Sequence, residues 1–360
     1  MEGRIYLKPG DFSAHESVVF ESGKLKASTF VYATGVEALR IDSGRGHIVV
    51  LPYQGQQVWD AVFEGRRLTM NSYFSQPVKS RNLFDSYGAF LYHCGALRMG
   101  TPGPEDDHPV HGELPAATYG DAWLEFGEDA EGPFVGASGA FSYIRAFGDK
   151  YRAVPVAKLH EGATIVDVSM TIENQAHYPM DLMYMCHINL LPAESGEVIQ
   201  PTGWGTDDMI LRSVIPSHVK PTPEYLALLE SLKKDPGVLR RFKPGDEYSP
   251  EIVFYVKNLR SDSRGFTHLI QKHADGSSDY VSYDVKDLDH TVRWILKHKD
   301  QQVNGMALPS TCDPEGYTSE KRKGNVRTLG PLASKSFAVR AGFLDRTKTT
   351  EMERTIASLK

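Results

Sequence analysis

The stretch TIVDVSMTIEN, positions 164 to 174, alternates apolar and polar side chains. Val166, Val168, Met170 and Ile172 fall on one face, and Asp167, Ser169, Thr171 and Glu173 on the other. A period of two belongs to a strand with one face buried, because helical side chains repeat every 3.6 residues. The alternation returns in EIVFYVKNL, where Ile252, Phe254 and Val256 align, and in TVRWILK, where Val292, Trp294 and Leu296 align. FAVRAGF repeats it with Phe337, Val339 and Phe343. Turn-forming clusters such as DSGRGH, FEGRRL and HADGSSDY lie between these runs, and the last joins FTHLIQK to YVSYDV as a hairpin. Many strands with tight turns and few helices predict an all-β antiparallel architecture, a sandwich or barrel, not a doubly wound sheet.

One helical insertion is expected near 222–243. In PTPEYLALLESLKKDPG, Thr222 caps, Pro223 suits the first turn, and Tyr225, Leu228, Leu229 and Leu232 follow helical spacing. The C-terminal RTKTTEMERTIASLK reads as a short helix or a loose tail. No repeat and no low-complexity linker divides the chain, so residues 1–360 are read as a single domain.

Composition narrows the function classes. A net charge of −6 and the lack of a long basic run argue against nucleic acid as partner. The short cluster SEKRKGNVR reads as a solvated loop. No apolar run is long enough to span a membrane, and the first residues carry no apolar signal core. Cys94, Cys186 and Cys312 are odd in number and widely spaced, which fits neither a disulfide framework nor a zinc ribbon. They are read as small buried side chains. A reduced, cytoplasmic protein is expected. Edge strands of a large sandwich need covering, and a homodimer is one way to cover them.

Three segments can carry chemistry. In MYMCHINLLP, a strand puts Met183, Met185, His187 and Asn189 on one face and Tyr184, Cys186, Ile188 and Leu190 on the other. His187 and Asn189 thereby offer two hydrogen-bonding groups to one ligand. In HPVHGELPAATY, the prolines limit a helix, so an extended segment would place His111 and Glu113 on one face, with His108 on a different face or in the loop. Gly112 allows a ligand or another strand to come close. Arg98 stands beside glycines upstream, where its planar fork suits a hydroxyl or carboxylate. The loop GTPGPEDDHP is long enough to be functional. Dinucleotide, P-loop and nucleophile-elbow motifs are missing.

The order LYHCGALRMG, HGELPAATY, MYMCHINLLP and ALPSTC resembles the aldose 1-epimerase (galactose mutarotase-like) clan, from about Ile48 to Phe343. The resemblance implies a large antiparallel β-supersandwich with a monosaccharide or sugar-acid pocket on its concave face. It implies ring opening by general acid–base catalysis without a cofactor. By the same resemblance His187 matches the acid, His111 a sugar-binding histidine, and Arg98 lies near a sugar-binding position. The clan's base is a glutamate before a late proline, and here Leu308 precedes Pro309. Leucine accepts no proton, so Glu113 is the replacement expected. Two alternatives stay open. One is a keto-sugar isomerase or epimerase in which His111, Glu113 and His187 hold a divalent metal. The other is a carbohydrate-binding protein without turnover, which the loss at Leu308 would suit.

Overall fold

A computed structural model describes residues 2–216 and 219–359. Two antiparallel sheets, one of nine strands and one of thirteen, form the framework of the fold. The alternating stretch of the sequence is the strand Ile165–Asn174, with Val166, Val168, Met170 and Ile172 buried, inside the nine-stranded sheet. FTHLIQK and YVSYDV form the expected hairpin, Phe266–Lys272 paired with Ser278–Asp284. Its turn closes when the His273 N–H donates to the Ser277 carbonyl.

The thirteen-stranded sheet carries the region of interest. Side by side lie Met209–Leu211, Tyr248–Val256, His290–Lys297, Gln302–Ser310, Met180–Ile188 and Leu91–Ala96, in that order. The alternation within Met180–Ile188 decides what each face meets. Tyr184 points between the sheets, where its ring stacks on Phe337 of the nine-stranded sheet with centroids 4.6 Å apart. Burying aromatic rings of this size contributes roughly 2 kcal/mol or more each, which fixes the strand's rotation. Met185 and His187 therefore point away from the sandwich interior.

The apolar stripe of TVRWILK behaves differently from a core stripe. Val292, Trp294 and Leu296 share one face, as their spacing requires, but that face lines an outer cavity. The inner face of this strand holds Ile295 and a wholly buried arginine, Arg293. Arg293 donates to the Met306 carbonyl and to Gln200 Oε1, and its guanidinium lies 5.0 Å from the Trp204 ring. Burial holds its pKa down to about 9.

The helical insertion forms at Pro223–Lys234, capped when Thr222 Oγ1 accepts from the Tyr225 N–H, and a 3-10 turn follows at Pro236–Arg240. Tyr225 anchors it to the sheet by donating from its hydroxyl to the Glu251 carbonyl at 2.7 Å. The C-terminal segment is a helix, Arg346–Ser358, with Asp345 as its cap. The basic cluster is solvated as expected but is not a loop: Tyr317–Lys323 is a helix, held by ion pairs such as Lys323–Glu320. All three cysteines are buried, and burial pushes the Cys186 thiol up to about 12. Among the described residues no helix is long and apolar enough to cross a membrane.

Candidate functional site

A cavity of about 280 Å³ opens on the outer face of the thirteen-stranded sheet. Its floor comes from four strands: Met185 and His187; Glu251 and Val253; Val292, Trp294 and Leu296; and Leu308. Its rim comes from the segment holding Tyr73, Phe74, Phe84 and Tyr87, and from the loop holding Thr101, Val110 and His111. Most of this lining is apolar, so the few polar groups set any chemistry.

His187 is 4% exposed. Its ring meets Trp294 edge-on with centroids 5.5 Å apart and His111 at 5.1 Å. Nε2 lies 3.4 Å from the Tyr87 hydroxyl, and Nδ1 lies 2.8 Å from Asn189 Oδ1. Burial lowers its pKa to about 4, although the Asn189 hydrogen bond pulls the other way. Burial also raises the Tyr87 phenol well above its ordinary range, so its hydroxyl keeps its proton.

The cavity's carboxylate is Glu251. Tyr248–Val256 presents it beside Val253, while Ile252 and Phe254 on the alternate face are wholly buried. Arg212 Nη2 donates to Glu251 Oε1, and the Trp294 indole N–H donates to Oε2 at 2.8 Å. Arg212 follows the edge strand Met209–Leu211, whose pairing with Tyr248–Val256 is extended when the Arg212 N–H donates to the Val253 carbonyl. That pairing brings the cation onto the carboxylate. Trp294 thus touches both His187 and Glu251.

The expected residues divide. His111 and His187 come together at the cavity, from a loop and a strand. The extended segment expected at His111–Glu113 is a turn instead: His111 has φ +62° and Gly112 φ +83°. A Cβ at Gly112 would lie 2.0 Å from the Arg98 carbonyl oxygen, so the glycine admits neighbouring backbone and not a ligand. The turn sends the two side chains apart. Glu113 Oε1 accepts from the Ala96 N–H, the Leu97 N–H and the Tyr151 hydroxyl, at 3.0, 2.8 and 2.7 Å. Burial raises its carboxyl pKa, and these hydrogen bonds offset part of the rise. Glu113 does not line the cavity.

Arg98 does not line it either; its guanidinium stacks 3.6 Å from the Tyr317 ring centroid and donates to the Leu97 carbonyl. Asn189 is wholly buried behind His187, so it is not a substrate-facing group. His108 pins the loop, with Nδ1 2.8 Å from the Pro109 carbonyl and Nε2 accepting from the Tyr317 N–H. His111, Glu113 and His187 do not form a three-ligand cluster. Among the described residues, the one group whose ligand atoms lie within 4.8 Å of one another is Glu131, His160 and Asp167, on the other sheet.

The contacts of Glu113 give a prediction. Glu113→Ala leaves two buried N–H groups without their acceptor and is expected to cost roughly 2–4 kcal/mol in urea denaturation. Glu113→Gln, which keeps an oxygen in that place, is expected to lose less than half as much.

Sequence reasoning missed Glu251, Arg212, Trp294 and Tyr87 as site residues. A lone carboxylate at the head of the apolar run IVFYV was a signal for Glu251. Arg212 had none, since its partner is 39 residues away.

Comparison with known proteins agrees on the fold. A family model described as a domain of unknown function, DUF4432, matches residues 33–193, less than half of the chain. No curated protein matches the sequence. A crystal structure of a candidate aldose 1-epimerase from Klebsiella pneumoniae superposes with TM-score 0.78 at 17% identity, covering 99% of this chain and 91% of that one. A galactose mutarotase-like protein from Clostridium acetobutylicum gives 0.62 at 13% identity, with coverage of 89% and 99%. A galactose 1-epimerase from Lactobacillus acidophilus gives 0.54 at 13%, also over 89% and 99%. The chain has the galactose mutarotase-like β-sandwich fold.

Proposed function

We propose that this protein is a carbohydrate-active isomerase that holds one monosaccharide ring in the cavity and interconverts its forms by proton transfer at the hemiacetal. One observation carries the reading. An imidazole, His187, and a carboxylate, Glu251, line the same apolar cavity with the Trp294 indole between them. The strand order sets their backbones three strands apart, roughly 14 Å, so they flank a bound ring from two sides. The volume of about 280 Å³ falls near the lower end of ligand pockets, which suits one ring and not an oligosaccharide. Trp294 and Tyr87 offer flat surfaces to the apolar face of a pyranose. In this reading His187 and Glu251 handle protons and hydroxyl groups, and Arg212 and Trp294 hold the carboxylate in place. Glu113 takes no part in the chemistry.

The test is magnetisation-transfer NMR between the two anomer signals of each sugar in a panel of neutral aldoses and uronic acids. At least one sugar is expected to exchange at a rate proportional to added protein, and addition of a chelator is expected to leave that rate unchanged. Binding of a sugar by calorimetry with no faster exchange would favour the non-catalytic alternative. Leu308, an aliphatic side chain in the cavity wall, is the observation on that side. Loss of exchange with chelator would favour a metal-assisted route.

A further inference from the structure

Asn189 meets the His187 ring from the side away from the cavity. The asparagine is wholly buried, and its Nδ2 donates to the Ala89 carbonyl at 2.9 Å. That bond fixes the amide's orientation, because the reverse would set two oxygens against each other. Oδ1 then lies 2.8 Å from His187 Nδ1. An amide oxygen only accepts, so Nδ1 must be the N–H donor. A neutral imidazole with Nδ1–H has its lone pair on Nε2. Nε2 is on the side of Tyr87, which lines the cavity.

We infer that Asn189 is a positioning residue that holds neutral His187 as its Nδ1–H tautomer, so that Nε2 meets the substrate as a proton acceptor. This rests on reading the cavity as a proton-transfer site, and it reverses the acid role that the sequence resemblance implied for His187. The step balances without any other reactant. The O1–H bond of the cyclic sugar breaks as Nε2–H forms. The O1 electrons form the C1 carbonyl while the C1–O5 bond breaks. The imidazolium then returns the proton to O5. Rotation about C1–C2 and the reverse sequence close the ring on the other face.

The groups facing the imidazole permit this. Tyr87, Tyr92, Trp294 and His111 surround it, and the Glu251–Arg212 ion pair shares the cavity. The two tyrosines keep their protons, since burial raises both phenols. With burial holding the imidazolium pKa down to about 4, the ring is neutral at pH 7, and its Nε2 lone pair faces the Tyr87 hydroxyl at 3.4 Å, a long contact that a substrate hydroxyl replaces.

The test uses full-length protein labelled with 15N-histidine. Two-bond proton–nitrogen correlation spectra are taken at pH 7, with the His187 signals identified by their loss in His187→Gln. A protonated-type Nδ1 shift and an unprotonated-type Nε2 shift are expected. Asn189→Ala is expected to give a mixture of tautomers. Asn189→Asp keeps the acceptor and adds charge; it is expected to keep the Nδ1–H tautomer and to move the ring's titration up by one to three pH units. An Nε2–H tautomer or a charged ring in the unmodified protein overturns the inference. An Nδ1–H tautomer in a protein that accelerates no sugar's exchange leaves the tautomer assignment and the positioning role of Asn189 standing and removes the proposed activity.

Discussion

Replacing His187 by alanine is expected to lower kcat/KM for anomer exchange by 10²- to 10⁴-fold, the range that a positioned proton-transfer group supplies. Sugar affinity is expected to change far less, because the aromatic wall and Glu251 remain. The fold is expected to survive, since leaving buried Asn189 Oδ1 without its partner costs about 1–3 kcal/mol, less than the roughly 5–15 kcal/mol that holds a typical domain. The same ring sets the pH dependence. Burial lowers the His187 pKa to about 4 in the folded protein. The acceptor form is therefore full above about pH 6 and is lost as pH falls through 4. Activity is expected to be flat from pH 8 to 6 and halved near pH 4, with circular dichroism run alongside to separate titration from acid unfolding. A rate that climbs as pH falls toward 4 would mean that the protonated ring is the working form.

The strands were legible because period two is a local property. A residue's face follows from its neighbours' identities, and Val166, Val168, Met170 and Ile172 are buried as their spacing requires. Which side of the sheet a face meets is not local. Val292, Trp294 and Leu296 read like a core stripe, yet they wall an outer cavity while Arg293 goes inside. An apolar binding cavity and an apolar core impose the same pattern on a strand, so alternation cannot tell them apart. His111 and His187 were found because an imidazole among glycines or methionines is conspicuous. Glu113 misled because its spacing from His111 was read as extended, and two successive positive φ angles turned its carboxyl into the backbone of Ala96 and Leu97. Asn189 was placed on the correct face, but its short side chain is spent on His187 and on the Ala89 carbonyl. Arg212 and Glu251 meet only through strand pairing, which the sequence does not display.

That meeting carries the second large effect. Arg212 and Glu251 are 8% and 11% exposed along their side chains, so the pair is largely desolvated. Removing one partner from such a pair costs about 3–5 kcal/mol, because the other charge stays in a medium that solvates it poorly. Arg212→Met is therefore expected to destabilise the protein by roughly that amount in urea denaturation, at constant m-value. Adding Glu251→Gln to it is expected to recover most of the loss. The neutral amide still offers an oxygen to the Trp294 indole N–H, and no charge is left buried. The double variant is expected to fold nearly as well as the parent and yet to have a clearly lower kcat/KM for anomer exchange, since the carboxylate that holds the sugar hydroxyls is gone. A loss below about 1 kcal/mol for Arg212→Met would put the pair in the range of solvated surface ion pairs. The cavity's carboxylate would then owe its orientation to Trp294 and not to the guanidinium.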